Sequence, residues 1–130
     1  MARTSSSRNT LLLVLLVGLL LVLAAFIYYN LSSPLAMYPG DAKTALARAE
    51  FDHVVDVRTD VEWRAGHYPL AIHIPLADIS KVIEQRIPDK NARILFYCNT
   101  STRSRQAAEA AQTLGYKNVR YLLGTHANLL

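Results

Sequence analysis

Cysteine is nearly absent from this chain: Cys98 is the only one among 130 residues. A single thiol excludes an intrachain disulfide and any multi-thiolate zinc site. The four histidines, at positions 53, 67, 73 and 126, include no i, i+4 pair, so no metal is expected. Basic runs and aromatic ladders are also missing. The net charge is +4, but from Asp41 onward 12 basic and 10 acidic residues are intermixed, so no nucleic-acid partner is expected. Internal repeats are lacking, and the length suits one small domain rather than two cores.

Charge is absent from one long stretch. Residues 11–29, "LLLVLLVGLLLVLAAFIYY", carry none. At about 1.5 Å per residue such a helix spans roughly 28 Å, close to the hydrocarbon thickness of a bilayer. Signal-peptide apolar regions are shorter, about 7–15 residues, and end at small residues. This run ends in Phe26, Tyr28 and Tyr29, which suit a membrane–water interface. A retained anchor in the lipid bilayer is therefore expected over a cleaved signal, although a cleavage site near "SPLAM" is the competing reading. Arg3 and Arg8 precede the span, and no Lys or Arg follows until Lys43. The positive-inside rule then puts the N-terminus in the cytoplasm and the rest of the chain in the periplasm or another extracytoplasmic space. Gly18 has no small residue four positions away, so the span shows no obvious dimerisation face. The expected organisation is a cytoplasmic N-terminus over residues 1–10, a transmembrane helix over 11–29, a linker over 30–40 and one domain over 41–130.

Beyond the linker the pattern alternates. "DAKTALARAE" reads as a helix with Asp41 at its N-cap. "FDHVVDV" is a β-branched strand, and Thr59 or Asp60 starts a turn of helix. "AIHIPL" is a brief extended piece closed by Pro75. Ile79, Val82, Ile83 and Ile87 fall at helical spacing, stopped by Pro88. "ARILFYC" is the second strong strand, and "RSRQAAEAAQTLGY" the best helix, with Gly115 at its end. "KNVRYLL" is a last strand before a short tail. Strands alternating with helices predict an α/β domain, a small parallel sheet of four or five strands flanked by helices.

In such sheets ligands bind at the carboxyl ends of the strands, beside helix N-termini. Cys98 falls there, between a strand and a helix beginning near Arg103. Free cysteine is usually a buried packing residue, so packing and nucleophile are both open readings at this point. The intervening residues favour the second. Asn99, Thr100, Ser101, Thr102 and Arg103 offer successive backbone N–H groups, three hydroxyls and a permanent cation, with no carboxylate within the loop. A thiol in that setting has a lowered pKa.

A second segment adds to this. "VVDVRTDVEWRAGHYPLAIHIPL", residues 54–76, resembles the signature of the rhodanese family, with D-V-R, E-W, G-H and I-P in order. The resemblance continues through "YCNTSTRS" and "LGYKNVRYLLG", covering roughly residues 41–125. It implies a rhodanese-like fold and a sulfurtransferase. Cys98 would be the nucleophile, carrying sulfane sulfur as a persulfide from a small anionic donor such as thiosulfate to a thiol or cyanide acceptor. The amides of residues 99–103 would cradle the transferred sulfur, Arg103 would orient the donor, and no cofactor would be needed. Asp56, Arg58 and Ser104 would support the loop, Glu62 and Trp63 would fix the helical turn, and His67 would be a scaffold residue. The sequence departs from the family where Ser101, Leu70 and Thr125 replace frequent glycines. Its tail is also short, so a final packing helix is expected to be missing.

Two other functions compete. Phosphatases and arsenate reductases of the same fold carry a Cys-x5-Arg loop, whereas Cys98 and Arg103 enclose four residues, which favours sulfur. A non-catalytic rhodanese module, a carrier or sensor, would keep the cysteine as well.

Overall fold

In a computed structural model of the chain, residues 3–130 are described; the side chains of residues 3–5 and 30 are not, so the Arg3 side chain used for orientation lies outside the described residues. The chain divides into two compact units, one ending at Pro34 and one spanning Leu35–Leu130. In the first, helix α1 runs over Arg3–Leu31. Its stretch Ser6–Tyr29 is long and apolar enough to cross a membrane, and its leucines and valines are exposed.

The second unit is a five-stranded, wholly parallel sheet. Its elements are β1 Ala36–Met37, α2 Pro39–Ala47, β2 His53–Asp56, α3 Asp60–Ala65, β3 Ala71–His73, α4 Ile79–Arg86, β4 Arg93–Tyr97, α5 Thr102–Thr113 and β5 Asn118–Leu122. Strand order is β1-β5-β4-β2-β3, so β4, which leads to Cys98, is central. Side chains alternate across it. Ile94, Phe96 and Cys98 join Val55, Val57, Val119 and Tyr121 beneath α4 and α5, while Leu95 and Tyr97 join Val54, Leu122 and Ala42 beneath α2. On α4, Ile79 and Ile83 are buried, as is Ile87 just beyond it; each contributes about 1.5–3 kcal/mol of apolar burial.

Local signals explain most element ends. At α3 the capping box is complete: the Glu62 amide donates to Thr59 Oγ1 at 3.3 Å and the Thr59 amide to Glu62 Oε2 at 2.9 Å. Helix α4 stops before Pro88, and Gly115 follows α5 in a positive-φ conformation, φ 95°. Two expectations need correction. Helix α2 begins two residues before Asp41, because Pro39 starts a helix readily at its first position; Asp41 instead sits in the first turn, facing the positive end of the helix dipole. The stretch expected as linker supplies β1, which pairs Ala36 with Tyr121 and Met37 with Leu122. The tail ends in a 3-10 turn over His126–Leu129 that buries Leu129 against the α2 face.

Candidate active site

Cys98 leaves β4 at the carboxyl end of the sheet, level with the residues that follow β2: Asp56 pairs with Tyr97, and the Val57 amide donates to the Tyr97 carbonyl at 3.1 Å. The thiol is fully buried and points toward α5. The Ser104 amide donates to Sγ at 3.4 Å, and Ser104 Oγ lies 3.4 Å from it. Ser104 Oγ also lies 3.0 Å from the Ser101 carbonyl, so its one proton can turn to either the carbonyl or a thiolate. Burial pushes the thiol pKa up, but the Ser104 hydroxyl and the amides of Thr100, Ser104 and Arg103 outweigh it, so the net shift is downward from 9.0. The amides of Thr100, Arg103 and Ser104 thus face sulfur.

The turn that aims those amides needs a left-handed residue. Ser101 supplies it, with φ 65° and ψ −25°, at the position where glycine was noted as frequent. The strain of a side chain there, about 1–2 kcal/mol, is offset by a bond glycine cannot make. Gly124 donates its backbone N–H to Ser101 Oγ at 2.8 Å, tying the cysteine loop to the loop after β5. Gly124 itself has φ 146°, and a Cβ there would lie 2.5 Å from Asn128 Oδ1, which accepts from the Thr125 amide at 2.8 Å. Ser101→Ala keeps the strain and orphans the Gly124 amide, so it is expected to destabilise by about 1–2 kcal/mol. Ser101→Gly loses the bond but relieves the strain, and is expected to cost under about 1 kcal/mol. Thermal unfolding of the two variants checks the order; Gly costing more than Ala would refute it.

Arg103 lies at the loop's end, but its guanidinium is already held. Nη1 and Nη2 donate to the two Glu62 carboxylate oxygens at 2.7 and 2.9 Å. Asn99 Nδ2 donates to Glu62 Oε1 at 2.8 Å as well. The loop itself contains no acid, yet the fold brings one from α3 against it. The Arg103 guanidinium, with further donors from Thr59, holds the Glu62 carboxyl well below the usual carboxylate range. Thr100 and Thr102 are exposed, and Thr102 Oγ1 lies 3.5 Å from the Thr100 carbonyl.

Beside this loop lies a buried ion pair. Asp56 is fully buried and Arg58 is 2% exposed. Arg58 Nε donates to both Asp56 oxygens at 3.0 Å, and Nη2 donates to Oδ2 at 2.6 Å and to the Gly66 carbonyl at 2.7 Å. The guanidinium also lies over the Tyr97 ring, 5.6 Å from its centroid. Trp63 on α3 stacks with His67 at 3.3 Å between centroids and with His73 at 4.8 Å, so the E-W pair does hold α3 in place. His67 Nδ1 lies 2.8 Å from the Trp63 carbonyl, a scaffold contact as expected.

All nine residues singled out from the sequence, Cys98, Asn99, Thr100, Ser101, Thr102, Arg103, Ser104, Asp56 and Arg58, thus gather at one end of the sheet. Two further residues were missed. Glu62 was read only as a support for its helical turn, and His126 was counted only among unpaired histidines. His126 Nδ1 lies 3.3 Å from Arg58 Nη1 and 3.2 Å from Asn99 Oδ1. No local pattern marks either contact; the capping box at Thr59 was the only signal that Glu62 had a fixed position.

Comparison with known proteins agrees with this geometry. The family model described as Rhodanese-like domain matches residues 39–126. The chain is 37% identical over 68 residues to thiosulfate sulfurtransferase PspE of Escherichia coli strain K12, a match that takes in 52% of this chain and 65% of PspE. Among solved structures, a rhodanese with anions from E. coli shares 34% identity at a TM-score of 0.54, covering 58% of this chain and 88% of the other. The human single-domain sulfurtransferase TSTD1 superposes with a TM-score of 0.64 over 74% of this chain and 95% of its own; at 22% identity that likeness is one of fold. With its cysteine loop, its parallel sheet and this match over most of the α/β unit, the chain belongs to the rhodanese-like domain family.

Proposed function

We propose that this protein is a membrane-anchored sulfurtransferase that moves sulfane sulfur through a persulfide on Cys98. The observation that carries the reading is the thiol itself: buried at a strand end, ringed by backbone donors and held below the ordinary thiol range. The Cys98 thiolate attacks the outer sulfur of a small anionic donor such as thiosulfate. A bond from Sγ to that sulfur forms as the donor's S–S bond breaks, and sulfite leaves with the electron pair. A thiol or cyanide then attacks the outer sulfur, and Cys98 leaves as thiolate. The amides of Thr100, Arg103 and Ser104 stabilise negative charge at both stages. Arg103, which shares its charge with Glu62, positions the donor, while Asp56, Arg58 and Ser104 hold the loop. The solved rhodanese with anions and the thiosulfate sulfurtransferase similar to this chain support an anionic donor. Four residues between Cys98 and Arg103 give a smaller ring than a tetrahedral phosphate requires.

The apolar helix Ser6–Tyr29 supports the anchor, with the N-terminus cytoplasmic and the domain outside the cytoplasm. Intact mass spectrometry of the chain purified from membranes and treated with thiosulfate tests both parts. The expected result is the full-length mass plus one sulfur atom, removed by cyanide. Absence of an adduct with any sulfane donor would overturn the transfer reading, and a mass lacking the first 30 or so residues would convert the anchor to a cleaved signal.

A further inference from the structure

His126 opens the 3-10 turn after β5 and is half-buried against the site. One nitrogen of its ring, Nδ1, meets two neighbours with opposite needs. Arg58 Nη1, 3.3 Å away, is a donor that seeks a lone pair. Asn99 Oδ1, 3.2 Å away, is an acceptor that seeks a proton. The Asn99 amide cannot turn to relieve this, because its Nδ2 is committed to the Glu62 carboxylate. Arg58 cannot turn either, since Nε and Nη2 are committed to Asp56 and Gly66. A neutral imidazole serves one neighbour or the other by tautomer. An imidazolium sets a second positive charge 3.3 Å from a guanidinium that never loses its own, and the repulsion drives the ring away from Arg58 and with it from Asn99.

We infer that His126 is a positioning residue of the sulfur-transfer site, whose neutral ring holds Asn99, and through it the Cys98 loop, in the cradle geometry, and whose protonation releases that hold. The inference rests on the function proposed above. The groups facing the ring are Arg58 and Asp56 beside β2, Glu62 from α3 and Asn99 from the cysteine loop. Helix α2, which touches the same 3-10 turn, sends Lys43 to the Leu130 carbonyl at 2.8 Å. Burial and then the Arg58 charge hold the imidazole below its ordinary 6.5, against the opposing pull of Asp56 and Glu62. The neutral ring is therefore the form present at neutral pH, and the acid side is where its hold is lost.

Asparagine is the informative replacement. Its amide offers a carbonyl to Arg58 and an N–H to Asn99 at once, and it does not titrate. The test uses the full-length chain in detergent, as wild type, His126→Asn and His126→Ala, between about pH 5 and pH 9. Two rates are read, each divided by the thiolate fraction from ultraviolet absorbance: persulfide formation with thiosulfate, and alkylation of Cys98 by iodoacetate relative to neutral iodoacetamide. Wild type is expected to lose both persulfide rate and iodoacetate preference on the acid side of the ordinary imidazole value of 6.5. His126→Ala is expected to be about ten-fold slower with thiosulfate at neutral pH, and His126→Asn to restore the rate and remove the acid-side loss. An acid-side loss that persists in His126→Asn, or an alanine variant equal to wild type with unchanged circular dichroism, would overturn the inference. If no persulfide forms even in wild type, the transfer reading fails, and the alkylation ratio still decides whether His126 shapes the anion cradle.

Discussion

Cys98→Ser is expected to reduce sulfur transfer by at least about four orders of magnitude, to the uncatalysed background. The hydroxyl is nearly isosteric, so folding is preserved, but an alcohol in the same cradle ionises far too weakly to attack sulfane sulfur. The cradle acts on the thiol's charge state, and this gives the prediction a second face in pH. The Cys98 pKa lies below 9.0 in the folded protein, so transfer rises with pH through that lowered value and then levels. The same shift is a stability term. The folded form favours the thiolate, so the stabilisation is complete above the ordinary thiol range and is lost as pH falls through the lowered pKa. Denaturant unfolding of wild type against Cys98→Ser across that window should therefore diverge as pH rises. A transfer rate for Cys98→Ser within ten-fold of wild type would remove Cys98 from the mechanism.

The second large effect is on folding. Arg58→Met leaves the Asp56 carboxylate fully buried without its guanidinium, which is expected to cost about 3–5 kcal/mol. For a unit of this size that lowers the melting temperature by about 12 °C or more. The Gly66 carbonyl loses its donor in the same variant, which frees the loop after α3. Removing both charges with Asp56→Leu and Arg58→Met is expected to recover much of the loss, because no unpaired charge then remains. Calorimetry of the two single variants and the pair checks this cycle. Single variants within about 0.5 kcal/mol of wild type would show that the pair does not carry the loop.

How much of this was legible in the sequence depended on distance along the chain. The strand into Cys98, the helix after it and the start of α3 near Thr59 or Asp60 were readable because each is written within a few residues. The rise of Ser101 into positive φ was anticipated from a glycine position, but its bond to Gly124 was not, since 23 residues separate them. Strand β1 was hidden for another reason. Its two residues have no strand pattern of their own and become a strand only by pairing with β5. Glu62 meets Arg103 across 41 positions and His126 meets Arg58 across 68, so both contacts depend on the strand order. The loop read as free of acid is acid-free in sequence only; its carboxylate comes from another helix.

The outermost strands of the sheet, β1 and β3, are only two and three residues long. An exposed sheet edge is a row of unpaired backbone groups onto which a foreign strand can add, and long flat edges seed aggregation. Here the five-residue strands β4 and β5 are both enclosed by neighbours, and the rims end before an incoming chain can make more than a few bonds. Copies at high local concentration can therefore lie side by side without their sheets fusing into a continuous ribbon.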